Sequence, residues 1–111
     1  LNLAESCSAQ TKQSESYTSG PFHFEKIGFK GIDCFRATAT RGDELSKPEA
    51  HGDELEICWV QSGSIQITLP RESHILKPGQ ALKFDAALAH SYQILEDCEL
   101  TILHIEKTHR F

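Results

Sequence analysis

The sequence has no methionine among its 111 residues and begins at Leu1. We therefore expect a fragment or a processed product, with a neighbouring domain missing. No apolar run approaches the roughly 20 residues of a membrane span. The polar N-terminal segment also lacks the apolar core of a secretory signal. These absences predict a cytoplasmic protein with no membrane partner.

The chain has too few basic residues to bind a polyanion such as a nucleic acid. Lys and Arg number 11 against 16 Asp and Glu, which gives a net charge of −5. Nucleic-acid binding depends on cationic side chains that neutralise phosphates. Any contact with DNA would thus have to come from a domain that is absent from this chain.

No two of the four cysteines have the C-x-x-C spacing of a zinc or redox site. Three of them, Cys34, Cys58 and Cys98, lie in or beside apolar runs, where a thiol behaves as a small hydrophobe. We expect reduced structural thiols. The even count, which includes Cys7, also permits disulfides.

Short apolar runs separated by turn residues fill the chain after residue 20. Residues 1–20 are rich in Ser, Thr, Gln and Glu and predict a flexible lead-in, which leaves 21–111 as one domain. Residues 41–54 predict a long loop, and Gln61–Gly63 a tight turn. About eight short strands at this spacing are typical of a sandwich or barrel. The runs are 22–27, 32–40, 55–60, 64–69, 74–76, 81–84, 90–95 and 99–106.

Two spaced motifs resemble those of the cupin superfamily. In the first, Glu56 is followed by six residues and then Gly63. The His-x-His that cupins carry upstream falls on Glu49 and His51 with one spacing. With a spacing one residue shorter it falls on Ala50 and Gly52, and the site is lost. The second motif is matched in spacing by Gly79, Asp85, Ala87, His90 and Ile94.

The resemblance implies an all-β, antiparallel, jelly-roll-like barrel with a pocket inside. Residues 82–92 look similar to cupin sensor domains of bacterial transcription regulators, of the AraC type or fused to a helix-turn-helix. This likeness implies a domain that binds a small-molecule effector, and cupin-like barrels often form homodimers through sheet edges.

Strand alternation gives a physical check on the candidate site. If Glu56 points inward, so do Cys58 and Val60; if His90 points inward, so does Tyr92. The resemblance then implies that His51, Glu56 and His90 hold a divalent metal such as Fe, Mn, Ni or Zn. The alternative is that Glu56 and His90 pair without a metal.

Three further residues are candidates for contact with a ligand in the same pocket: Glu49, Cys58 and Tyr92. His104 alternates with Leu100 and Ile102 and is predicted to be a packed or rim histidine. We designate no catalytic residue.

Three functions remain open at this point. The first is the effector-binding part of a transcription regulator, and the second is a stand-alone metal-dependent cupin enzyme of dioxygenase or isomerase type. The third is a purely structural or assembly role.

Overall fold

The computed structural model describes residues 9–47 and 52–108. Every regular element in these ranges is a strand, and none of their segments is a helix that could cross a membrane. The all-β antiparallel barrel of about eight strands is thereby confirmed. The strands are β1 (Glu15–Ser19), β2 (Phe22–Phe29), β3 (Ile32–Ala39), β4 (Glu44–Lys47), β5 (Glu54–Leu69), β6 (Glu72–Leu76), β7 (Ala81–Asp85) and β8 (His90–Glu106).

The strands form one antiparallel system in the order β1-β2-β3-β8-β5-β6, with β4 also paired to β8 and β7 to β5. Strand β3 illustrates why these segments pair. Phe35 and Ala37 are buried while Arg36 and Thr38 between them are exposed, the period of two expected for a strand with one buried face.

Two predicted strand breaks are wrong, although the strand number agrees. The turn predicted at Gln61–Gly63 lies inside β5, and the break between the predicted runs 90–95 and 99–106 lies inside β8, where the ladder has successive register shifts between Val60 and Ile65. Such shifts mark β-bulges, which interrupt the alternation without ending the strand. A polar bulge therefore looked like a turn in the sequence.

Two strands were missed for the opposite reason. Strand β1 falls in the predicted lead-in and β4 in the predicted loop. Both lie at edges of the system, paired with β2 and β8 respectively, and the β1 side chains are mostly exposed. An edge strand with one solvent-exposed face contains few apolar residues, so hydrophobic periodicity does not reveal it.

The bulges let the long β5–β8 ladder fold back on itself. Glu56 is paired with His104, and Ile67 further along is paired with Tyr92. A straight strand from Glu56 to Ile67 would be roughly 36 Å long. The Tyr92 hydroxyl nevertheless reaches the Glu56 carboxylate, so the two halves of the ladder face each other across the barrel.

Gly63 sits at this bend with a backbone φ of 78°. A Cβ there would stand 2.8 Å from the Cα of Cys98 and closer still to the carbonyl oxygen of Asp97. Only a residue without a side chain allows the two backbones to approach this closely.

The apolar core fills the space between the two halves. Both halves of β5 and of β8 contribute to it, together with β2, β3, β6 and β7. Within the described ranges Cys34, Cys58 and Cys98 are free thiols, two of them buried. The largest fully buried side chains are Phe22, Cys58, Val60, Ile65, Ile67 and Leu100.

We expect Gly63→Ala to destabilise the barrel strongly. The left-handed backbone costs a residue with a Cβ about 1–2 kcal/mol, and displacing the packed backbone costs a further about 1–3 kcal/mol. Gly79→Ala is the matched control because Gly79 has a φ of 87°, but a Cβ added to it would meet nothing within 4 Å. Urea unfolding measures the stability of both variants. An equal loss of unfolding free energy in Gly63→Ala and Gly79→Ala would contradict the role of Gly63 at the bend.

Candidate functional site

A cavity of about 280 Å³ lies between the two halves of the barrel. Half of its apolar lining is aromatic; this lining comprises Tyr17, Phe24, Phe35, Leu45, Ala86 and Ile102. Its polar lining comprises Ser19, Glu54, Glu56, His90, Tyr92 and His104. Neither set, taken from the described part of the chain, includes a lysine or an arginine.

Glu56 is the centre of the polar lining and is only 4% exposed. It points inward because β5 alternates, with Cys58 and Val60 also buried. Its carboxylate accepts hydrogen bonds from the Tyr92 hydroxyl and from Nε2 of His104, the latter at 2.8 Å. A buried carboxylate needs such partners, because isolation from water would cost several kcal/mol.

The turn before β8 orients His90. The Asp85 carboxylate accepts a hydrogen bond from the Ala87 amide at 2.9 Å, and the Asp85 carbonyl accepts one from the Leu88 amide at 3.0 Å. The Leu88 carbonyl in turn accepts a hydrogen bond of 2.7 Å from Nδ1 of His90. A carbonyl cannot donate, so the proton is on Nδ1. Nε2 is left facing Oε1 of Glu56 at 3.6 Å, beyond hydrogen-bond length.

Opposing effects set the protonation states of Glu56, His104 and Tyr92, which together form a polar cluster. Burial by itself would raise the pKa of Glu56, but the hydrogen bonds from His104 and Tyr92 and the nearby imidazoles together lower it. Burial would lower the pKa of His104, but the hydrogen bond and the charge of Glu56 raise it. Burial, assisted by the adjacent Cys58 and Glu56, raises the pKa of Tyr92. The cluster therefore holds an ion pair beside a neutral phenol.

The predicted site residues have different outcomes. Glu56, His90 and Tyr92 meet in the cavity as the alternation predicted. Cys58 is fully buried in the core, where burial raises the pKa of its thiol to about 12, and it does not line the cavity. Glu49 and His51 lie outside the described residues.

The predicted metal site finds no complete ligand set among residues 9–47 and 52–108. No group of three His, Cys, Asp or Glu side chains in these ranges is arranged to hold a metal ion. The Glu56 carboxylate already accepts hydrogen bonds from Tyr92 and His104. The described residues alone therefore do not fit Fe, Mn, Ni or Zn.

His104 is the functional residue that the sequence did not assign to the site. Its predicted place at the rim agrees with a side-chain exposure of 29%, and its ring lies 4.8 Å from that of Phe35. Its direct bond to Glu56 follows from their pairing in the ladder. The alternation of His104 with Ile102 can be read from the sequence. The strand register that places His104 opposite Glu56 cannot.

We expect His104→Gln to lower the free energy of unfolding by about 1–3 kcal/mol, because a buried carboxylate loses a charged donor. The lowered pKa of Glu56 contributes stability above its ordinary value of 4.5, lost as the pH falls. The raised pKa of His104 contributes stability below its ordinary value of 6.5, lost as the pH rises. The loss should therefore be largest between pH 4.5 and 6.5.

Urea unfolding of both proteins across the pH range measures this loss. His74→Gln is the control: its partner Glu72 lies at 2.7 Å, but both side chains are exposed. Such surface pairs contribute at most about 1 kcal/mol. A His104→Gln loss that is independent of pH would contradict the ion pair.

Comparisons with known proteins agree with this architecture. A family model described as a cupin domain matches residues 36–106. No curated protein matches the sequence significantly. Among solved structures, the cupin domain of an XRE family transcriptional regulator from Enterobacter cloacae has a TM-score of 0.70 at 16% identity, over 77% of this chain and 96% of that one.

Two further similar structures are a transcriptional regulator and an enzyme. An HTH_3 family transcriptional regulator from Vibrio cholerae has a TM-score of 0.70 at 15% identity, and the match covers 77% of this chain. It spans only about half of the regulator, 51%. Ectoine synthase from P. lautus has a TM-score of 0.70 at 11% identity, over 82% of this chain and 68% of that one. At these identities the likeness to solved structures shows the fold alone. The family model, which matches residues 36–106, shows that the chain belongs to the cupin family.

Proposed function

We propose that this cupin domain binds a small organic effector in its barrel and is the effector-binding part of a bacterial transcription regulator. The observation that carries the proposal is the approach of the Glu56 carboxylate to Nε2 of His90 in the wall of the cavity. Oε1 of Glu56 and Nε2 of His90 are 3.6 Å apart, and both residues are buried. A ligand amine in contact with both atoms would donate one N–H to each when His90 carries its proton on Nδ1, and a ligand hydroxyl would donate its single proton to one of them.

The walls favour a planar ligand body. The rings of Tyr17 and Phe24 are stacked with centroids 5.2 Å apart, and Phe35 meets Phe24 edge to face at 6.1 Å. Aromatic rings prefer these stacked and edge-to-face arrangements with one another. A volume of about 280 Å³ is at the small end of ligand pockets, which suits a molecule built on one ring.

The charges favour a donor over an anion. Glu54 and Glu56 line the cavity, and the described lining offers no lysine or arginine to bind a carboxylate or phosphate. His104, whose pKa is raised by Glu56, is already engaged by that carboxylate. The expected effector therefore has an amine or hydroxyl head on an aromatic body.

The regulatory part of the proposal rests on different support. Two of the similar structures come from regulators, and residues 82–92 resemble sensor cupins of the AraC type or of the helix-turn-helix fusions. The net charge of −5 leaves contact with DNA to another domain. Free Cys34, Cys58 and Cys98 are in keeping with the reducing cytoplasm.

A metal-dependent enzyme of dioxygenase or isomerase type is the second candidate. The convergence of Glu56 with the imidazoles of His90 and His104 favours it, as does the likeness to ectoine synthase. It would require a ligand from outside the described residues, for which His51 was predicted.

Thermal unfolding with three related probes tests the proposal. We expect benzylamine and benzyl alcohol to raise the melting temperature in a concentration-dependent way, because ligands that bind the folded state stabilise it. Benzoate, similar in shape but anionic, should have little effect. Glu56→Gln should lose the response to benzylamine.

Glu72→Gln is the matched control variant, because Glu72 is an exposed carboxylate remote from the cavity lining. It should respond as the wild type does. Equal shifts with benzoate and benzylamine, or no shift with any of the three probes, would overturn the proposed ligand class. A shift with Fe(II), Mn(II), Ni(II) or Zn(II) alone would favour the enzyme.

A further inference from the structure

Glu54 is a second carboxylate in the wall of the cavity. It lies two residues before Glu56 on β5, so strand alternation directs both side chains to the same face, and both line the cavity. Two residues along a strand separate their Cα atoms by roughly 7 Å. Glu54 is half-buried, whereas Glu56 is only 4% exposed. The cavity therefore has one carboxylate at its buried end and another nearer to solvent.

The backbone of Glu54 is held from two sides. Strand β5 begins at this residue, which is paired in the ladder with Glu106 on β8. Its carbonyl accepts a hydrogen bond of 3.0 Å from the amide of Ala86, which also lines the cavity. These contacts fix the point from which the Glu54 side chain extends, so its carboxylate is confined to the region of the cavity wall.

The chain neutralises the two carboxylates to different degrees. Glu56 accepts hydrogen bonds from Tyr92 and from His104. In the part of the chain that the structure describes, no Lys, Arg or His side chain forms a salt bridge with Glu54. Its partner across the ladder is Glu106, and like charges directly opposite each other destabilise a sheet. A cation beside Glu54 would offset this repulsion.

Glu54 is close enough to the polar cluster to act on the same ligand. Although burial lowers the pKa of His104, the hydrogen bond and charge of Glu56 raise it, and the charge of Glu54 adds to the rise. A single imidazole thus faces two carboxylates. An ammonium group of a ligand is the natural complement of the second carboxylate, because it donates charge-assisted hydrogen bonds to it.

We propose that Glu54 is a specificity-determining residue, which binds a second cationic group of the effector while the first amine contacts Glu56 and His90. The inference rests on the proposed function, since it concerns an amine-bearing effector in the same cavity. It narrows the ligand class to a diamine whose two ammonium groups are separated by one aromatic ring. The aromatic side chains of the lining, Tyr17, Phe24 and Phe35, would pack against that ring.

Calorimetric titration of the full chain with two isosteric ligands tests the role of Glu54. The ligands are meta-xylylenediamine and meta-ethylbenzylamine, which have the same skeleton except that a methyl group replaces one amine in the second. We expect the wild type to bind the diamine about tenfold more tightly, because a carboxylate in a half-buried site gains a charged donor. In Glu54→Gln this preference should fall to the statistical advantage of a ligand with two equivalent amines. Glu54→Asp, which keeps the charge, should retain part of the preference.

Glu44→Gln is the matched control. Glu44 is exposed and precedes the lining residue Leu45 on β4, so alternation turns it away from the cavity. This variant loses the same charge and should keep the wild-type preference. Equal affinity of the wild type for the two ligands, or an unchanged preference in folded Glu54→Gln, would overturn the inference. Binding of meta-ethylbenzylamine in either case would leave the proposed function standing, whereas binding of neither ligand would overturn both.

Discussion

The close approach of Gly63 to the backbone of Asp97 and Cys98 is the constraint on which the rest of the barrel depends. It lets the longest ladder fold back without breaking either strand, so that one pair of strands supplies both walls of the barrel. Strand β8 then contributes His90 and Tyr92 from one end and His104 from the other. The core and the polar cluster are both consequences of this bend.

The polar cluster balances the cost of burying a carboxylate. Glu56 accepts a hydrogen bond from neutral Tyr92 and from His104, whose raised pKa makes it a built-in counter-charge. This arrangement satisfies the carboxylate by donors of the chain itself. His90 is held differently, because its Nδ1 proton is donated to the Leu88 carbonyl and Nε2 remains available. The described lining of the cavity thus contains carboxylates and imidazoles and no lysine or arginine.

Local pattern predicted a large part of this from the sequence. Period-two alternation gave the inward direction of Glu56, His90 and Tyr92, and motif spacing gave the cupin barrel. What it could not give depends on register. The bond from His104 to Glu56 arises between residues that are far apart in sequence, and the bend at Gly63 looked like a turn because a bulge and a turn share polar residues and glycine.

The prediction for Cys58 was limited in the same way. Alternation indicated that its side chain points inward but not whether the cavity extends to it. The same alternation sends Ile57 away from the cavity, whereas its neighbour Glu56 lines it.

The cluster depends on two arrangements: His104 holds Glu56 ionised, and the Nδ1 proton of His90 is donated to the Leu88 carbonyl. Nitrogen-15 NMR of the histidine rings at neutral pH tests them most directly. The expected result is a proton on Nε2 of His104 and a proton on Nδ1 of His90, with the His90 Nε2 resonance moving when benzylamine is added. A bare Nε2 on His104, or a His90 ring protonated on Nε2 and bare on Nδ1, would contradict the corresponding arrangement.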